Sequence, residues 1–263
     1  MTVSSAAVGG LALAALISLA APFAVYFACR RRLTLPGRNI ALGATVFVLF
    51  ALVLEGAMHW YVLKHNPGTA AWMRDHWWGF AIYACAAAAL FEETGRFLAL
   101  RFFAKRTDDA GAAVAYGIGH GGAEALIVGA FSQIVALVLA AMMNAGSLVS
   151  TFGHKLPAAA VAKMQSALAG LSFETAVLGG LERFWALLLQ IGFSLLVWRA
   201  VTRRDLRWLL AAMAAHAGID SVAAAAQRGQ ISLAVTEAIV SAVGVVLLVF
   251  FLVKLPRRRS PAA

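Results

Sequence analysis

Charge is scarce in this chain. Only 13% of its 263 residues are Asp, Glu, Lys or Arg, and acids are rarer than bases, 12 against 22. Soluble domains carry about 25% charged residues and about 45–50% apolar ones. Here 62% are apolar and mean hydropathy is +0.82. A water-soluble fold of that composition would need a core larger than 263 residues can enclose. This excludes a soluble globular domain, a disordered chain and a coiled coil. Cysteine is almost absent as well. Cys29 and Cys85 both lie in apolar runs without C-x-x-C spacing. That excludes a disulfide scaffold and a thiolate metal site, and leaves two small hydrophobes. There is no HExxH segment and no serine flanked by motif glycines, so neither common hydrolase signature is present.

What is present is a series of long apolar runs. A membrane helix needs about 20 apolar residues. Seven runs qualify as spans, roughly 4–28, 40–63, 78–103, 112–145, 173–198, 208–227 and 231–253. The first has no basic segment before it and Arg30, Arg31 and Arg32 after it, so it reads as a retained span and not a signal peptide. With the N-terminus outside, the inside segments collect fifteen basic residues: Arg30, Arg31, Arg32, Arg38, Arg101, Lys105, Arg106, Arg199, Arg203, Arg204, Arg207, Lys254, Arg257, Arg258 and Arg259. The outside segments collect five: Lys64, Arg74, Lys155, Lys163 and Arg228. That bias predicts an all-α polytopic transmembrane helix bundle of about seven spans, N-terminus outside and C-terminus cytoplasmic. The net charge of +10 is then a matter of topology and lipid headgroups, with no nucleic acid implied. The fourth run is too long and glycine-rich, and is expected to tilt or break near its cytoplasmic end. A short helix is expected near Pro157–Ala169. Trp72, Trp77 and Trp78 read as an interfacial belt. No repeat or second domain is visible, so 1–263 reads as one integral-membrane domain.

Seven of the twelve acids fall inside these spans: Glu55, Glu92, Glu93, Glu124, Glu182, Asp220 and Glu237. A charge at the bilayer centre costs about 2.5–3.5 kcal/mol on insertion scales, so such groups must face one another or do chemistry. At about 1.5 Å per residue, Glu93 lies roughly 15 Å, His120 and His216 roughly 12 Å, and Glu124 and Asp220 roughly 18 Å from the cytoplasmic ends of their spans. Three helices thus place acids and imidazoles at one level. Glu92 and Arg96, His120 and Glu124, and His216 and Asp220 are i, i+4 pairs. A carboxylate one turn from a histidine can fix its tautomer. Two oriented imidazoles beside a buried glutamate suit water activation, and could equally bind a metal. Glu182 and Arg183 read as structural partners of this cluster, Glu55 and His59 as a pair nearer the outside, and Glu237 as an interhelical contact.

Four segments carry a resemblance: Phe91-Glu92-Glu93-Thr94-Gly95-Arg96, Tyr116-Gly117-Ile118-Gly119-His120-Gly121-Gly122-Ala123-Glu124, Leu181-Glu182-Arg183, and His216-Ala217-Gly218-Ile219-Asp220. In this order they resemble the YhfC family of intramembrane proteases, itself similar to the CAAX prenyl protease and bacteriocin-processing superfamily. The resemblance spans about 90–225. It departs from the superfamily in having two residues, not three, between the glutamates and the arginine. It also has Gln190 near a position where the family pattern often has histidine.

The resemblance implies an endopeptidase core over about 78–227, in a bacterial plasma membrane. Its substrate would be a transmembrane or membrane-anchored protein. Glu92 or Glu93 with His120 would activate water. His216 and Asp220 would stabilise the oxyanion or, with His120, complete a metal site, zinc by chemistry. Arg96 would hold the neighbouring glutamate, with Glu124, Glu182 and Arg183 in support. Both a glutamic-type and a metallo mechanism fit this pattern. Two other readings of the residues stand beside it: a proton-coupled transporter, since buried acids and histidines relay protons, and an inactive membrane scaffold.

Overall fold

Every long apolar run becomes a helix, because a backbone in hydrocarbon must satisfy its hydrogen bonds internally. The computed structural model describes residues 2–107 and 110–254, which contain helices and no strand. The elements are α1 Ser5–Arg30, α2 Gly37–His65, α3 Pro67–Asp75, α4 Trp77–Phe102, α5 Gly111–Asn144, α6 Leu148–Phe152, α7 Ala158–Ala169, α8 Phe173–Arg203, α9 Arg207–Gln227 and α10 Leu233–Lys254. Six of them, α1, α2, α5, α8, α9 and α10, are long and apolar enough to cross a membrane. The apolar runs predict seven. The difference is α4, which has 26 residues but carries Glu92, Glu93, Arg96 and Arg101 in its second half. Its length fits a span; its composition is diluted by the polar groups it holds. Arg257, Arg258 and Arg259, which contribute to the basic bias that predicts orientation, lie outside the described residues.

The long fourth run does not break near its beginning. α5 is continuous over 34 residues, and its irregularity is a π-helical stretch at Ala125–Phe131 in the middle. α2 has two such stretches, Phe47–Glu55 and Tyr61–His65. These widened turns let a helix absorb extra residues without ending. Asn66 ends the second by capping α3: its side chain accepts from the Gly68 and Thr69 amides, with Pro67 in the first turn. The expected short helix is α7, opened by Pro157.

The chain divides into two compact units. One comprises Met1–Ala21 and Glu124–Phe184. Its core is Val3, Ala7, Ala140, Met143, Leu148, Val161 and Leu168. Asn144 ties its ends: its amide oxygen accepts from Val3 N at 2.7 Å and its nitrogen donates to Val3 O at 3.0 Å. Gly10 lies against Phe173 and Gly180 against Ala14, close approaches that leave no room for a β-carbon.

The other unit comprises Pro22–Ala123 and Trp185–Ala263. In it α4 packs on α2 and α9, and α9 on α10. Val46, Leu100, Tyr116, Val197, Val201 and Ala212 form a core from α2, α4, α5, α8 and α9. α5 is wedged in by glycines. A β-carbon at Gly119 would overlap the Ile40 carbonyl of α2, and one at Gly117 would press on Ile191 of α8. Gly43 of α2 in turn admits the Tyr116 carbonyl. Small residues at helix contacts replace the hydrophobic drive that lipid removes. Asn39, fully buried, clamps the α4–α5 loop. It accepts from Lys105 N at 2.8 Å and donates to the carbonyls of Lys105 and Ala112 at 2.9 and 3.1 Å.

Candidate active site

The glutamates of α4 and the histidines of α5 and α9 meet inside the second unit. Glu92 and Glu93 are adjacent on α4, so their side chains diverge by about 100° around the helix. Each finds its own histidine. His120 Nε2 donates to Glu92 Oε2 at 2.9 Å, and His216 Nδ1 donates to Glu93 Oε1 at 2.8 Å. His216 Nε2 lies 3.4 Å from Asp220, the expected one-turn pair. Edge-on Phe47 packs on His120 at 5.3 Å between centroids, and Phe193 stacks on His216 at 4.7 Å and 13°.

Exposure separates the two glutamates. The side chains of Glu93, Arg96 and His120 are fully sealed, whereas that of Glu92 is 11% exposed. Asp220 is the open edge, at 36%. Glu93 Oε2 and His120 Nδ1 are buried without a hydrogen bond among the described residues.

Two expected pairings are replaced. Arg96 does not clasp Glu92 one turn away. It sits 3.5 Å from Glu93 and directs its shorter bonds to Gln190, Nη1 donating to the backbone carbonyl at 3.0 Å and Nη2 to the side-chain oxygen. A planar guanidinium matches that fork of two oxygens. Glu124 is held by Arg183, whose Nη1 donates to it at 2.8 Å, while Nη2 donates to Glu182. A guanidinium is a stronger partner for a carboxylate than a neutral imidazole N–H. Glu124, Glu182 and Arg183 thus form an ion cluster of the first unit, beside Gly129.

Gln190 is the site residue that charge-based reading passes over. It donates to Glu92 Oε2 at 3.2 Å while receiving Arg96, and so joins the two. Ser194 Oγ also donates to its carbonyl, at 2.7 Å. The available signal was an amide in the apolar run Ala186–Leu195, where a polar side chain must find a partner.

Elsewhere, Glu55, His59 and Tyr83 make a separate chain, with His59 Nε2 at 3.1 Å from Glu55 and Nδ1 at 2.9 Å from the Tyr83 hydroxyl. Glu237 is buried on α10. Trp72, Trp77 and Trp78 are all exposed, and both cysteines are free thiols.

Apolar helices around a buried glutamate–histidine cluster define a polytopic membrane protein with the components of a hydrolase. The comparisons are more specific. A family model described as YhfC intramembrane metalloprotease matches residues 16–241. The uncharacterized membrane protein YhfC of Bacillus subtilis (strain 168) is 36% identical over 255 residues, covering 97% of this chain and 98% of that protein. No solved structure matches. The chain belongs to the YhfC family, is an integral membrane protein, and falls among intramembrane proteases.

The family description implies a metal. Imidazole and carboxylate are donors that zinc uses. In this site His120 Nε2 and His216 Nδ1 are each taken by a glutamate, and among the described residues no group of three His, Cys, Asp or Glu is placed to hold a metal ion. His120, His216 and Asp220 do not form such a triad. As arranged among the described residues, these side chains do not fit a bound ion.

Proposed function

We propose that this protein hydrolyses a peptide bond of a transmembrane or membrane-anchored protein in a bacterial plasma membrane, with Glu92 as general base. The supporting observation is the hydrogen bonding of Glu92. Its Oε2 is occupied by His120 and Gln190 and its side chain is 11% exposed, so Oε1 would be the atom that takes the water molecule. Water gives a proton to Glu92 as its oxygen bonds the scissile carbonyl carbon. His216, on the open side near Asp220, donates to the developing oxyanion. The proton on Glu92 then passes to the leaving nitrogen as the C–N bond breaks. Arg96, Glu93 and Gln190 fix the two reacting groups, and the aromatic walls of Phe47 and Phe193 limit water.

The test is cleavage of a single-span reporter protein co-reconstituted in vesicles. Glu92→Gln, His120→Ala and His216→Ala, each checked by thermal melting, should lower the rate by about 10²–10⁴. Full activity in all three would reject the site. Proton flux without cleavage would move the protein to transport. Chelator treatment should leave the rate unchanged, with substoichiometric metal in the purified protein; inhibition reversed by added zinc would establish the metal-assisted form.

A further inference from the structure

Away from the glutamate–histidine cluster, the ends of α4 and α8 border an open hollow of about 410 Å³ lined by Arg101, Phe102, Arg106, Val201 and Arg204. We propose that Arg101, Arg106 and Arg204 form a discrete site for the phosphate of an anionic phospholipid.

Three exposed guanidinium groups lining one open hollow give it a positive potential that attracts an anion. Among the described residues none of the three makes an ion pair with a carboxylate. Asp205, next to Arg204, is taken by Arg207, whose Nε and Nη2 donate to it at 3.0 and 2.9 Å. Arg101 rests on the rings of Phe97 and Phe102 at 5.8 and 5.4 Å. Among the described residues the charge of this hollow is therefore not balanced by a carboxylate.

The backbone gives an independent observation. Arg204 has φ 55°, and among the described residues it is the one left-handed residue that is not glycine. It closes α8, with Asp205 N donating to Ala200 O at 3.1 Å. Glycine is the ordinary residue at such a helix end, because a β-carbon there is strained. Strain of this kind persists where the side chain is used. On the other side of the hollow, the loop that carries Arg106 is not left loose. The buried Asn39 grips both backbone groups of Lys105, next to it.

The surroundings favour a lipid over a soluble anion. Phe102 and Phe103 are 64% and 57% exposed beside the arginines. Exposed aromatics next to basic groups suit the boundary between acyl chains and headgroups. A phosphodiester held by the guanidinium fork would leave its acyl chains against these rings.

Native mass spectrometry of the full chain in detergent tests this, with equal amounts of phosphatidylglycerol and phosphatidylcholine. Phosphatidylglycerol should be retained preferentially. Arg101→Ala and Arg106→Ala should each weaken that retention about fivefold. Arg204→Gly should weaken it similarly while raising the melting temperature, since glycine relieves the backbone. Arg31→Ala, on another basic segment, should change nothing. Equal retention of both lipids, or an Arg204→Gly protein that melts higher and keeps its full preference, overturns the site. So does an equal loss with Arg31→Ala. Displacement of phosphatidylglycerol by inorganic phosphate at matched concentration would mark a soluble-anion site and overturn the lipid assignment.

Discussion

At the scale of single residues, the site consists of two carboxylates handled differently. Glu93 is sealed between Arg96 and His216, while Glu92 faces the accessible side with His120 and Gln190 on one oxygen. Gln190 should accordingly act by position. Gln190→Ala removes a hydrogen bond to a charged acceptor, which is worth about 1.5–3 kcal/mol. The expected result is a kcat about 10- to 100-fold lower with KM little changed. A raised KM at unchanged kcat in steady-state cleavage assays would assign Gln190 to substrate binding. The histidines and glutamates were legible because ionisable groups inside apolar runs stand out, and because depth along each span aligned them. Their partners were less so. Spacing of i, i+4 correctly indicated His216 with Asp220, but gave Arg96 to Glu92 and Glu124 to His120. It counts neighbours on one helix and is blind to those on another: Gln190, which reaches Arg96, and Arg183, which reaches Glu124.

At the scale of elements, the glycines of α2 and α5 decide how near the helices come. Gly119→Ala would drive a methyl group into the Ile40 carbonyl, and overpacking of this kind costs about 1–3 kcal/mol. Gly9, on α1, has nothing within 4 Å of a built β-carbon. Gly9→Ala should therefore stabilise by about 0.5–1 kcal/mol, through reduced backbone freedom of the unfolded chain. Thermal melts of the two variants should move in opposite directions; parallel shifts would mean that the close approach at Gly119 is not a tight one. The helices themselves followed from runs of apolar residues, within a few residues at each end. Their π-helical stretches did not. Such a turn differs from an α-turn by one residue, and nothing in the local composition of Ala125–Phe131 distinguishes the two.

For the molecule as a whole, orientation follows from where basic residues accumulate. The expectation is an outside N-terminus and a cytoplasmic C-terminus. A fluorescent protein fused at the C-terminus should fluoresce, and alkaline phosphatase at the same point should be inactive; the reverse result would invert the topology. Composition made the membrane class legible at once. It could not give the division into two units, which depends on which distant segments touch.

The glycine-lined seams that lock α5 between α2 and α8 bear on how the protein meets bilayers of unequal thickness. A helix free to slide adjusts its tilt when the hydrocarbon layer thins or swells. Keyed backbone to backbone at Gly43, Gly117 and Gly119, α5 would lose these contacts by sliding. His120 would be carried at a constant height relative to the glutamates of α4. Cleavage rates should then stay level between short-chain and long-chain lipid vesicles, with the mismatch absorbed by deformation of the lipid around the protein.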